Sequence, residues 1–224
     1  MASSKILLNP GLESVLATNT VLRNTYILLG LTMIFSAITA GFAMFTNALP
    51  LNPFITLIAY FGLLFLTNYT RNSAWGLASV FGLTGFMGYT LGPILSHYIP
   101  GFTNGHELVM MSLGATGLIF FALSAYALTT KKDFSFMGGF LMVGMLVAFL
   151  ASIATLFFHI PALMLTVSAV FILLSSGIIL LQTSQIIQGG ETNYIMATVT
   201  LYVSLYNIFL SLLNLLGAFS GNRE

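Results

Sequence analysis

Between Glu191 and Gly217 the chain reads ETNYIMATVTLYVSLYNIFLSLLNLLG, with Asn193, Thr200, Ser204, Asn207, Ser211 and Asn214 at steps of three, four or seven residues. Amides and hydroxyls at such intervals can hydrogen-bond, hold water or line a path. They do not change charge between pH 5 and 8. A second polar set precedes them: Ser168, Ser175 and Gln182 at seven-residue spacing, with Ser176, Thr183 and Gln185 nearby. His97, His106 and His159 are scattered and cysteine is absent, so neither a Cys/His metal site nor a disulfide is expected. The chain lacks a Walker loop, a HExxH, a nucleophile–base pair and paired carboxylates, so catalysis, a bound metal and a cofactor are not expected.

These polar residues lie in a chain that is 58% hydrophobic and 5% charged, against about 25% charged for an average soluble domain. Six basic and five acidic side chains cannot cover a water-soluble protein of 224 residues. The lipid bilayer is the solvent that suits it, and the basic residues form no patch for nucleic acid. A transmembrane helix needs about 20 mostly apolar residues, and seven segments qualify: 25–46, 52–70, 74–98, 107–129, 135–158, 161–187 and 193–219. Turn chemistry separates them, at Pro50 and Pro53, Arg71-Asn72-Ser73, Pro100-Gly101, Lys131-Lys132-Asp133, His159-Ile160-Pro161 and Gly189-Gly190. Residues 1–22 lack a secretory h-region and read as a polar cytoplasmic N-terminal tail with a short helix from Gly11, ahead of a transmembrane domain over 23–220.

With seven spans, Lys5, Arg23, Arg71, Lys131 and Lys132 share one face and Arg223 falls on the other. The positive-inside rule then puts the N-terminus in the cytoplasm and the C-terminus across the membrane. No Asp, Glu, Lys or Arg lies in the middle of a span, so the intramembrane charges that mark proton relays and ion pathways are missing. Small residues supply packing faces: Ala78, Gly82, Gly85 and Gly92 in the third span, and Gly138, Gly139, Gly144 and Ala148 in the fifth. Pro93 is a candidate kink.

The spacing of the polar stripe keeps it on one helical face. An amide facing lipid would lack partners at a cost of several kcal/mol, so the seventh helix must be surrounded by the others. The expected architecture is an all-α membrane protein, a seven-helix bundle with its C-terminal helix central. Tyr202 and Tyr206 add flanking hydroxyls. Two uses of the stripe remain open: hydrogen-bonded contact between helices, which the residue types favour, and the wall of a solvated vestibule. A small-solute transporter is less favoured, because seven spans do not divide into inverted repeats.

QIIQGGETNY followed by LYVSLYNIFLSLLNLLG resembles the signature of the Bax inhibitor family of seven-span membrane proteins, with Gly189, Gly190 and Glu191 in its loop. VLRNTYILLGLTMIFSAITAG, GFMGYTLGPIL, SAYALTTKKDFSFMGGFLM and SAVFILLSSGIILLQTSQII extend the resemblance over nearly the whole chain, toward a bacterial inner-membrane branch. The resemblance implies a central seventh helix. It also implies a protein that binds and restrains the membrane-anchored ATP-dependent protease FtsH, with that protease's membrane regulators as further partners and residues 1–22 as a cytosolic handle, about 70 Å long if extended. The alternative it implies is a pH-gated calcium leak, in which paired acids on helices six and seven form the gate. Gln182 and Ser204 occupy those positions here and neither is acidic, so calcium gating by a shared proton is not expected of them.

Overall fold

The computed structural model describes residues 10–158 and 160–221, with side chains from Thr18 on; Lys5, His159 and Arg223 lie outside the described residues. Seven long helices follow one another: α1 (Pro10–Phe45), α2 (Pro53–Thr70), α3 (Trp75–Gly101), α4 (Gly105–Thr130), α5 (Gly138–Phe157, after a 3-10 turn over Ser135–Met137), α6 (Pro161–Ile187) and α7 (Tyr194–Ser220). Each is long and apolar enough to cross a bilayer.

Local chemistry sets the ends. Pro53 and Pro161 open α2 and α6, where a missing N–H removes no helical bond. Asn52 caps α2 by accepting from the Phe54 N–H at 2.9 Å. Lys131 closes α4 at a left-handed φ of 50°, its N–H bonded to the Ala127 carbonyl at 3.0 Å. Gly189 takes φ 75° in the tight link from α6 to α7, a conformation that glycine adopts without steric cost.

Two boundaries differ from the expectation. Helix α1 reaches back to Pro10, so residues 10–22 continue the first span rather than forming a separate short helix; residues 1–9 lie outside the described set. Its 36 residues span about 54 Å, well beyond the ~30 Å hydrocarbon core. Helix α3 runs through Pro100 to Gly101, where the sequence suggests a break. A proline in the last turn forfeits a single bond at a place where the helix is ending anyway.

Glycines decide the closest approaches. A Cβ on Gly88 would collide with the Ser36 carbonyl and the hydroxyls of Ser36 and Thr39. One on Gly92 would stand 2.5 Å from the Ala43 Cβ, and one on Gly85 2.6 Å from the Phe35 ring. Helix α3 therefore lies against α1 through Gly85, Gly88 and Gly92. Gly82 faces elsewhere, with only Leu63 at 4.0 Å. Helices α5 and α6 interlock reciprocally: Leu174 fills the notch at Gly144 and Leu141 the notch at Gly177. Such contacts are the main source of helix association in lipid, where burial of apolar groups gains little.

Helix α7 packs against α6, α4, α1 and α3. From Asn193 to Gly217 no residue of it is exposed, whereas α2 buries only Thr67 and α5 only Leu141 and Ala148. The seventh helix is the axis of the bundle and α2 and α5 are its rim.

Candidate functional site

The site is built around α7, and its two halves differ. In the N-terminal half the polar groups are spent on protein. Asn193 stands one position before the helix as its cap, accepting from the N–H groups of Ile195 and Met196 at 3.1 Å. Its amide donates to the Asn72 side chain at 2.8 Å and the Arg71 carbonyl at 3.2 Å, tying the α6–α7 link to the α2–α3 loop. Thr198 bonds the Thr25 carbonyl of α1 at 3.2 Å as well as its own helix at Tyr194. Tyr202 donates to the Thr84 carbonyl of α3 at 3.2 Å and shares a hydrogen bond with the Ser36 hydroxyl of α1. A single phenol thus joins three helices through a relay of fixed direction: Ser36 donates to Tyr202, which donates to Thr84.

Thr200 is half-buried, and its carbonyl accepts from the Ser204 hydroxyl at 2.8 Å. Ser204 is only 1% exposed. Gln182 is 6% exposed, and its amide nitrogen has no hydrogen-bond partner among the described residues. The two positions are not joined by a hydrogen bond: Ser204 is satisfied within α7 and Gln182 is left with donor capacity unused.

Among the described residues, the loops at this end are laced together by hydrogen bonds. Ser184 donates to the Lys132 carbonyl at 2.8 Å and accepts from the Phe134 N–H at 3.2 Å. Gln188 donates to the Lys131 carbonyl at 2.7 Å. Gly190 and Glu191 both donate through their backbone to the Gln185 carbonyl, and the Glu191 carboxylate accepts from the Asn193 N–H at 2.8 Å. The run Gly189-Gly190-Glu191 is thus a compact turn that delivers the chain into the Asn193 cap. Asp133 accepts from the Ser135 N–H at 2.8 Å, and hydrogen bonding from the Ser135 side chain first, and its N–H second, holds the Asp133 carboxyl below the ordinary aspartate range.

In the C-terminal half, Asn207, Ser211 and Asn214 line a cavity of about 550 Å³ between α2, α3, α5, α6 and α7. Asn214 bridges to α6 by donating to the Ser168 hydroxyl at 2.8 Å, and Ser168 donates in turn to the Met164 carbonyl. Tyr206 shares a long 3.4 Å hydrogen bond with Thr90 of α3. Asn207, Ser211 and the Tyr60 hydroxyl have no hydrogen-bond partner among the described residues. The stripe therefore meets different surroundings at different depths: contacts between helices below Ser204, and above it a cavity wall together with the Asn214 contact to α6.

Sequence reasoning missed Ser36, Thr84, Tyr60 and Thr90, which are solitary polar residues on other helices and carry no periodic signal. It also missed Gly88, whose three- and four-residue steps to Gly85 and Gly92 were available. Among the described residues no three His, Asp or Glu side chains converge as metal ligands.

Comparison with known proteins agrees with this architecture. The family model described as inhibitor of apoptosis-promoting Bax1 matches residues 18–221. The modulator of FtsH protease YccA of Escherichia coli K12, called an inner membrane protein in another E. coli strain, is 54% identical over 91% of this chain and 92% of its own length. A protein of Pseudomonas aeruginosa is 50% identical over 99% of this chain and all of its own, and a membrane protein of Vibrio cholerae is 43% identical over 94% and 95%. With seven candidate spans, the C-terminal one central among them, and a family match over residues 18–221, the chain belongs to the Bax inhibitor family.

Proposed function

We propose that this protein resides in a bacterial inner membrane with its N-terminus and basic loops in the cytoplasm, and that it binds and restrains an FtsH-type ATP-dependent protease there. The observation that carries this is the 54% identity over 91% of the chain to the E. coli modulator of that protease. Arg23, Arg71, Lys131 and Lys132 gather at one end of the bundle, which supports the orientation by the positive-inside rule. The hydrogen-bonded loops at that end form an ordered face for a partner, including the protease's membrane regulators, and the N-terminal segment is the handle.

Restraint follows from kinetic stability. A protease that has taken the handle must next extract α1, which is locked to α3 at Gly88 and to α7 through Tyr202 and Thr198. A substrate that is seized readily and unfolded slowly occupies the enzyme. Affinity purification from membranes tests this, using the full chain and a version lacking residues 1–17, which precede the apolar span. The protease is expected with the full chain and strongly reduced with the shortened one. Its absence from the full-chain eluate would contradict the proposal.

A calcium leak has less support. A divalent cation prefers carboxylate oxygens, and the described residues lining the cavity include none. Vesicles holding a calcium dye should show no pH-dependent entry through this protein.

A further inference from the structure

The cavity beside Asn207 and Ser211 lies away from the basic loops, and protease binding makes no use of it. By helical rise, Asn214 is about 9 Å and Asn207 about 20 Å from the end of α7 at Ser220, so the cavity reaches well into the membrane-spanning part of the bundle. One wall carries hydrogen-bonding groups: Ser211, 7% exposed and without a partner among the described residues, the unpartnered Asn207 amide and the Tyr60 hydroxyl. Hydrocarbon, sulfur and aromatic groups line the rest, Met87, Met145, Phe149, Met164 and Phe171 among them, and the Ser152 and Thr155 hydroxyls between them are already bonded to their own helix. No charged side chain is among the described lining residues.

That chemistry selects. A phosphate or carboxylate head would enter without a cation to pair with, and a metal ion would find no anion. The hydrogen-bonding groups, for their part, are costly at membrane depth unless something polar meets them. About 550 Å³ falls within the range of small-molecule sites.

The route of entry is also marked. Helix α2 packs on α3 and α5 on α6, and these two rim helices share no substantial packed interface with each other. Across the gap the Phe61 and Phe149 rings meet edge to face at 5.6 Å. Phe61 is exposed on the lipid side, and both rings line the cavity. An aromatic pair of this kind is a weak contact, a small barrier to a molecule arriving from the acyl-chain region.

We propose that this cavity binds a neutral single-chain amphiphile of the monoacylglycerol class, admitted from the bilayer between α2 and α5. Its hydroxyl-bearing head meets Asn207 and Ser211, and its chain lies along the methionine and phenylalanine wall. The site is independent of protease binding.

The test uses the full protein in phosphatidylethanolamine–phosphatidylglycerol vesicles with a trace of diazirine-bearing monoacylglycerol, the adducts being mapped by mass spectrometry after illumination. Adducts are expected at Met145, Met164 or Phe171. Excess unlabelled monoacylglycerol should reduce them about tenfold, while a fatty acid or phosphatidylglycerol should not. Ser211→Leu, which fills the polar wall, should abolish the saturable labelling and leave the thermal midpoint near that of the native chain. Three results would overturn the proposal, the first two in the native protein alone: unsaturable labelling spread over lipid-facing positions such as Phe65 and Leu146, or equal competition by the fatty acid. The third is undiminished saturable labelling in a Ser211→Leu protein that is folded.

Discussion

Ser204 and Ser211 are the same residue, one heptad apart on one face of one helix, and they live in different surroundings. Ser204 is sealed in protein and bonded to the carbonyl one turn back, whereas Ser211 looks into a cavity and has no partner among the described residues. The difference comes from the neighbours. Around the N-terminal half of α7, α1 and α3 are drawn together by Gly85 and Gly88, and polar bonds from Thr198 and Tyr202 stitch them to the axis. Around the C-terminal half, α2 and α5 stand apart and leave space. A polar stripe in a membrane helix is thus no label for a use. Its use is set by how closely small residues elsewhere let the other helices approach.

The contrast can be broken most severely at Gly88. Gly88→Leu should push α1 from α3 and cost about 3 kcal/mol or more, since its Cβ alone meets backbone and has no room to yield. Much reduced folded protein in detergent, with a lower melting midpoint, is the expected result; Gly82→Leu, on an open face, should be tolerated. Tyr202→Phe comes next. It removes the phenol that joins Ser36 to Thr84 and should cost about 1 kcal/mol, readable as a lower midpoint without loss of fold. In the cavity half, Asn207→Leu breaks no observed hydrogen bond and should shift stability by less than about 0.5 kcal/mol. If it destabilises as much as Tyr202→Phe, the cavity half is packed too and the contrast fails.

The smallest effect concerns the loop at the packed end. Asp133 has its carboxyl held low by the bond from Ser135. Its contribution is therefore complete above the ordinary aspartate range and is lost as pH falls through the lowered value. Asp133→Asn keeps an acceptor but no titration, so its midpoint should follow acidification less steeply than that of the native chain. The side chain is exposed, and the difference should be slight.

Most of this architecture was legible in the sequence, because bilayer thickness and hydrophobic runs leave few alternatives. The seven spans follow from length, and the central place of α7 from amides that lipid cannot satisfy. Asn193 was less legible: its spacing puts it on the stripe, but its position just before Tyr194 makes it a cap, and only the exact helix start separates the two. Ala78, Gly82, Gly85 and Gly92 look like one small-residue face, yet Gly82 is rotated away and Gly88 holds the tightest contact. The long start of α1 at Pro10 was hidden because polar residues suit a helix outside the bilayer as well as they suit a tail. The cavity has no signature on any single helix. It arises where two helices fail to meet, a property of packing that periodicity along one segment does not carry.

The chain has no cysteine, so single replacements give clean reporters. The most direct test compares Ser204→Cys with Ser211→Cys, each nearly isosteric, by their rates of reaction with N-ethylmaleimide in native membranes. The structure predicts that the thiol at position 211 reacts and the thiol at position 204 stays protected until the protein is denatured. Equal reaction at both positions, or faster reaction at 204, would contradict a central helix sealed in one half and open in the other.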